Sequence, residues 1–224
     1  MVKIYLDGAD LNTMADCPYV DGYTTNPSLC RKAGVTDYKT FGKSIAALAL
    51  GKPVSIEVLA DDFDTMESQA REIASWGENV FVKVPVTRTD GQTCGPLIAA
   101  LARDGIQVNV TAIMTMEQVR STARYLYAET PAILSIFSGR IADTGRDPVP
   151  FITAANQCKH DKTEILWAST REVYNVKQAE QAGADIITMT PDLIKKMELF
   201  GKDLAEYSRE TVQMFYNDAK GITL

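Results

Sequence analysis

The chain has 224 residues, enough for one large domain or two small ones, with 46% hydrophobic and 23% charged residues, close to the globular average. Twenty-three Lys and Arg against 29 Asp and Glu give a formal charge of −6, which excludes the basic footprint of a nucleic-acid binder and gives no attraction to anionic lipid. No apolar run approaches the ~20 residues needed to cross a bilayer, and the N-terminus lacks a signal-peptide apolar core. Four dispersed cysteines without a C-x-x-C pair, and a single histidine, His160, speak against a disulfide frame, a zinc site or a His-based triad. The expectation is a cytoplasmic protein with reduced thiols, no metal and no cofactor.

Short apolar runs alternate with longer amphipathic ones along the chain. Strands are predicted at Lys3–Asp7, Gly22–Thr25, Pro53–Val58, Val80–Val84, Gln107–Thr111, Ala132–Phe137, Glu164–Ala168 and Ile186–Thr188. They are rich in Val, Ile and Phe and mostly apolar on both faces, as in a covered parallel sheet. Helices are predicted at Tyr38–Leu50, Asp64–Trp76, Gln92–Arg103, Thr115–Tyr127, Pro148–Lys159, Glu172–Ala182 and Pro191–Met197. Asp64–Trp76 sits behind an Asp cap, and Thr115–Tyr127 opens on the capping signature Thr-Met-Glu-Gln. A last amphipathic segment, Asp203–Ala219, follows. Eight strand–helix units in this length match a (β/α)8 barrel, as one domain over residues 1–224 with a C-terminal helical arm at about 203–219. An open doubly wound sheet gives the same alternation, but it usually carries a Gly-rich phosphate loop, and none follows an early strand here.

Barrel enzymes carry their chemistry at the C-terminal ends of the strands. Read in order, those ends hold Asp7, Thr24-Thr25-Asn26-Pro27, Glu57, Lys83 within Val82-Lys83-Val84-Pro85, Asn109 with Thr111, Phe137 through Arg140, and Ser169 with Arg171. Lys83 is the most informative. Desolvation among Val and Phe disfavours an ammonium, and a neutral amine forms a Schiff base with a ketone, whose iminium accepts electrons from a breaking C–C bond. A lysine snorkelling to water, or paired with Asp7 or Glu57, explains the same pattern. Asp7 and Glu57 suit proton transfer or charge balance. Asn109 would orient Lys83 or Glu57, or only satisfy a strand end. Arg140 and Arg171, with Ser169, suit a phosphate, or are solvated surface charges. Gly139, Gly145 and Gly183 read as turns.

With Tyr5-Leu6-Asp7, Thr24-Thr25-Asn26-Pro27-Ser28, Val82-Lys83-Val84-Pro85-Val86-Thr87, Asn109-Val110-Thr111, Gly139-Arg140-Ile141 and Ala168-Ser169-Thr170-Arg171 in this order, nearly the whole chain resembles the transaldolase family, in its short branch that includes fructose-6-phosphate aldolases. The resemblance implies a (β/α)8 barrel and a metal-independent class I aldol mechanism on sugar phosphates. It implies that Lys83 forms the imine and Asp7 handles the substrate hydroxyl. Glu57 and Thr111 would polarise the catalytic water. The substrate would be bound by Thr25, Asn26, Asn109, Phe137, Arg140, Ser169 and Arg171, with Asn26 and Asn109 on donor hydroxyls and the last three on the phosphate. The aldolases of this branch tend to carry Gln and Tyr where this chain has Glu57 and Phe137, and both residues here are of the transaldolase kind. The resemblance therefore implies transfer of a dihydroxyacetone unit, from sedoheptulose 7-phosphate or fructose 6-phosphate, over its release. A barrel that binds a sugar phosphate without turnover is the reading from another class. Thr170, where an aromatic is usual, and the segment from Ile141 to Asp147, with Arg146, depart from the pattern. The 203–219 helix is similar to the arm that short-branch members pack on a neighbour, which implies a homo-oligomeric ring, a pentamer or decamer; its amphipathicity equally suits packing on its own barrel.

Overall fold

The computed structural model describes residues 1–17 and 19–223. Eight parallel strands pair in chain order and close, the first against the last. They are β1 Lys3–Asp7, β2 Gly22–Thr24, β3 Val54–Glu57, β4 Val80–Pro85, β5 Val108–Ile113, β6 Ala132–Ile136, β7 Thr163–Trp167 and β8 Ile186–Met189. The helices are α1 Leu11–Ala15, α2 Pro27–Lys32, α3 Tyr38–Leu48, α4 Phe63–Ala74, α5 Gly95–Arg103, α6 Met116–Ala123, α7 Ser138–Asp143, α8 Val149–Cys158, α9 Asn175–Ala182, α10 Pro191–Lys196 and α11 Leu204–Asp218. This is the (β/α)8 barrel expected from the alternation.

The near-continuous apolar strands have a simple cause, since both faces are covered. Outward side chains such as Val82, Val110 and Trp167 join the helices' buried stripes in one large cluster. The inward ones alternate with them at period two. Tyr5, Phe81, Ile133, Leu166 and Ile186 form a separate cluster that fills the barrel interior. Gly22 is paired with Tyr5 across β1 and β2, and a Cβ there would lie 2.6 Å from the Tyr5 ring, so glycine makes room for that ring.

Local signals set the helix ends. Asp62 caps α4 by accepting from Thr65 N, and Met66, Ala70 and Ile73 bury the expected stripe. Thr115 and Gln118 form the full capping box of α6. Helix α5 starts at Gly95, not Gln92, because Asp90 turns the chain back on Gln92 N and Thr87 bridges Thr93. Helix α9 starts at Asn175, not Glu172, because the Asn175 side chain accepts from Arg171 N and Glu172 N. Strand six does not run on to Arg140. β6 ends at Ile136, Phe137 is the cap, and Ser138–Asp143 is the helix α7. α1, α2 and α7, at five or six residues each, are too short for a periodic signal and were not expected.

Candidate active site

The inward face that buries Phe81 and Tyr5 turns polar two residues later, at Lys83 and Asp7, where the strands open into a cavity of about 560 Å³. Register fixes the first pairing: Glu57 stands beside Lys83 across β3 and β4. Lys83 is buried, 6% exposed; its Nζ lies 3.1 Å from Glu57 Oε2 and donates to the Thr25 carbonyl at 2.8 Å. The Tyr38 hydroxyl donates to the Glu57 carbonyl at 2.8 Å and holds the end of β3. A buried amine with a carboxylate at hydrogen-bond range has a base for its proton within reach.

Asp7 is the second carboxylate on the wall. Its Oδ1 accepts from Thr24 Oγ1 at 2.7 Å. Burial pushes its carboxyl above the ordinary aspartate range; the Lys83 charge and the Thr24 hydrogen bond pull the other way, and the Glu57 charge adds to the rise. The two carboxylates thus differ in kind. Glu57 is ion-paired with the amine, whereas Asp7 holds protons more tightly than a free aspartate.

Of the expected site residues, Asp7, Asn26, Glu57, Lys83, Thr111, Phe137, Arg140, Ser169 and Arg171 all line the cavity. Thr25 and Asn109 do not. Both are fully buried: the Thr25 hydroxyl donates to Ser55 O, and its carbonyl receives Lys83. Asn109 donates to Ser55 Oγ at 2.9 Å and accepts from Ser135 Oγ at 2.7 Å, a closed polar network on the level of Lys83. Asn26 lends its Oδ1 to Leu29 N as the cap of α2. Thr111 Oγ1 is buried without a protein partner although it lines the cavity, so its bonds are left for what the cavity holds. Beside it Ala112 has φ +62° where the β5–β6 register shifts, a strained conformation for a residue with a Cβ.

The Arg140–Arg171 end of the cavity is built from a close approach of helix α7 to the turn after β7. Ser169 has φ +63°, and a Cβ on Gly139 would fall 1.7 Å from the Ser169 carbonyl oxygen. Gly139 is therefore no turn residue; it sits in α7 and lets the β7 turn touch it. Gly145 and Gly183 do have positive φ, as turns require. Arg171 pairs with Asp143 through Nε (3.0 Å) and Nη2 (2.5 Å), and these hydrogen bonds, helped by its charge, hold the Asp143 carboxyl below the usual range. Asp143 occupies the Nε–Nη2 edge of the guanidinium and leaves Nη1 outside that pair. Arg140 lies 5.9 Å from the Phe137 ring centroid. Arg146 donates to Thr144 and lines a neighbouring cavity that shares Arg140. Thr170 donates to the Thr188 carbonyl at 2.7 Å and ties the Ser169–Arg171 turn to β8. Thr24, named among the strand ends without a role, is on the wall, and sequence reasoning missed Ser135, Thr190 and Thr188 there. The alternation Ile186-Ile187-Thr188, with Ile186 inward, is a signal for Thr188.

The fold places the chain among (β/α)8-barrel proteins. A tryptophan synthase α-subunit from Pyrococcus furiosus superposes with a TM-score of 0.60 at 14% identity, over 95% of this chain and 98% of that one, a likeness of fold. The Transaldolase/Fructose-6-phosphate aldolase family matches residues 4–223. A "Probable transaldolase" of Hyphomonas neptunium is 36% identical over 98% of this chain and 97% of its own, and one of Roseiflexus castenholzii is 39% identical over 84% and 85%. The chain belongs to the transaldolase/fructose-6-phosphate aldolase family and is a transaldolase-like enzyme.

Proposed function

We propose that the protein is a class I, metal-independent transaldolase that moves a dihydroxyacetone unit from a ketose phosphate, fructose 6-phosphate or sedoheptulose 7-phosphate, to an aldose phosphate. The observation that carries the reading is the buried Lys83 amine 3.1 Å from Glu57, with a second carboxylate, Asp7, whose proton affinity is raised. Glu57 takes the ammonium proton, and the free amine attacks the ketone carbon. Loss of water, held by Glu57 and the unpartnered Thr111 hydroxyl, leaves an iminium. Asp7 removes the proton of the hydroxyl on the far carbon of the bond to be broken; that C–C bond breaks, its electrons flow into the iminium, the C–O bond becomes the carbonyl, and the first aldehyde leaves. The enamine then attacks the acceptor aldehyde, Asp7 returns the proton, and hydrolysis frees Lys83. Asn26 binds donor hydroxyls, and Arg140, Ser169 and Arg171 bind phosphate. In this reading Thr25 and Asn109 act from behind the wall, Thr25 on the amine and Asn109 on the inward strand ends.

Phe137 and Glu57 favour transfer over release, since an apolar ring at the imine gives hydrolytic water no hydroxyl to lean on. No helix among the described residues is long and apolar enough to cross a membrane, and all four cysteines are free, which fits a cytoplasmic enzyme. Helix α11 buries none of its residues, and Leu204, Tyr207, Met214 and Phe215 lie exposed at helical spacing, which fits an arm in a homo-oligomeric ring, a pentamer or decamer. The test is a product assay with fructose 6-phosphate, with and without erythrose 4-phosphate. Turnover that needs the acceptor supports the transferase; free dihydroxyacetone at the same rate without it makes the protein an aldolase.

A further inference from the structure

The oxygen that holds Asp7 is itself held. Thr24 Oγ1 donates to Asp7 Oδ1 at 2.7 Å and lies 2.6 Å from Thr188 Oγ1. A threonine hydroxyl carries one hydrogen. With that of Thr24 directed to the carboxylate, the contact between the threonines is a hydrogen bond only if Thr188 donates. The order Thr188 to Thr24 to Asp7 is then fixed by counting hydrogens. Strand register builds it: β1 sits between β2 and β8, with Asp7 paired to Thr24 and Tyr5 to Thr188. Thr24 is 3% and Thr188 5% exposed, so solvent does not take over either bond. The Thr188 backbone is fastened in turn by the Thr170 hydroxyl.

We propose that Thr188 is a positioning residue for Asp7, acting through Thr24, and that the two hydroxyls form a relay which orients the carboxylate and favours its ionised form. The inference rests on the reading of Asp7 as the acid/base group. A second threonine behind the first strengthens the bond it makes, because hydrogen bonds in series polarise one another. The charged groups that face Asp7 are Lys83 from β4, which favours ionisation, and Glu57 from β3, which opposes it. The relay adds a directed dipole with no net charge. When Asp7 takes up a proton on Oδ1 the relay reverses: the carboxyl donates to Thr24, Thr24 to Thr188, and Thr188 turns its hydrogen into the cavity that it lines. Every oxygen keeps a partner in both states, so the same residues serve Asp7 as base and as acid.

The test is a ¹³C NMR titration of the Asp7 carboxyl in the free protein, assigned with Asp7→Asn. It compares wild type, Thr24→Val, Thr188→Val, the double variant and Thr188→Ser. Losing the direct bond to the ionised carboxylate in Thr24→Val should raise the midpoint by ~1–2 pH units. Thr188→Val should raise it by a few tenths. The double variant should match Thr24→Val alone, and Thr188→Ser should restore the wild-type value. An unchanged midpoint in Thr188→Val, or a shift that adds to that of Thr24→Val, overturns the relay. If Thr188→Val does not fold, Thr188→Ala against Thr188→Ser gives the same contrast. The titration needs no turnover, so it stands apart from the functional reading: a wild type that fails to trap an imine rejects that reading and leaves the relay to be decided by its own midpoints.

Discussion

Lys83, buried, and Asp7, half-buried, are charged groups at one cavity, and their partners separate their roles. Glu57 is close enough to take the Lys83 proton, while burial leaves Asp7 with a raised proton affinity. Lys83→Arg keeps a charge of similar reach that cannot become a free amine. We expect turnover below about one part in a thousand with the fold unchanged by circular dichroism; activity above that level rejects Lys83 as the imine former. The Asp7 shift also fixes a sign for stability. Its folded proton affinity exceeds the unfolded one, so the native state binds the proton more readily. Its contribution to stability falls as pH rises from the ordinary aspartate range through the raised folded value. Asp7→Asn should therefore melt higher than wild type at neutral pH, with the difference closing in acid, and should lose activity; a lower neutral melting point contradicts the shift. Phe137→Tyr places a hydroxyl on the cavity wall, where a positioned acid/base is worth ~10²–10⁴-fold. The variant should gain acceptor-independent release of dihydroxyacetone from fructose 6-phosphate and lose part of its transfer rate, incompletely because Glu57 is unchanged. An unaltered ratio of release to transfer removes Phe137 from that control.

At the scale of elements, the contact of α7 with the turn after β7 shapes the Arg140–Arg171 end of the cavity. Gly139→Ala sets a Cβ against the Ser169 carbonyl, a clash between two backbones that no side-chain rotation relieves. It should cost ~1–3 kcal/mol, at ~2–4 °C of Tm per kcal/mol for a domain of this size, and raise KM for phosphorylated substrates. A variant with wild-type Tm would show that α7 and the turn after β7 do not touch. This contact explains why part of the site was not legible. The strands could be read because each is apolar on both faces, and the candidate catalytic positions because Lys83, Glu57 and Asp7 break that pattern at strand ends. Gly139 gives no pattern to break: its meaning lies in a carbonyl thirty residues away in sequence. Helix α7 has a single turn's worth of periodicity and was taken as the continuation of a strand. The family resemblance implies substrate contacts for Thr25 and Asn109, whereas neither lines the cavity, and the Ser55–Asn109–Ser135 network satisfies the Asn109 amide inside the barrel. Composition alone does not tell a ligand-facing amide from one satisfied by two serines. Thr188 ends the predicted strand Ile186–Thr188 and by propensity is an ordinary β-branched strand residue, so nothing in its residue type marks the hydroxyl.

Over the whole molecule, the barrel is closed by its own eight strands, while α11 leaves its apolar residues in solvent. Phe215, 62% exposed on that helix, is the place to test the arm. Phe215→Asp removes no buried contact within the chain, so the barrel should keep its Tm, since such surface changes stay within about ±0.5 kcal/mol. Light scattering should show a smaller assembly than wild type; an unchanged mass means that α11 is not the arm of a ring. The imine remains the centre of the account, because residue roles, cavity and family all converge on one amine. Borohydride reduction in the presence of fructose 6-phosphate, followed by peptide mass mapping, tests it most directly. The predicted result is a reduced dihydroxyacetone adduct on Lys83, absent in Lys83→Arg. Turnover of fructose 6-phosphate without an adduct, or an adduct on another lysine, would contradict it.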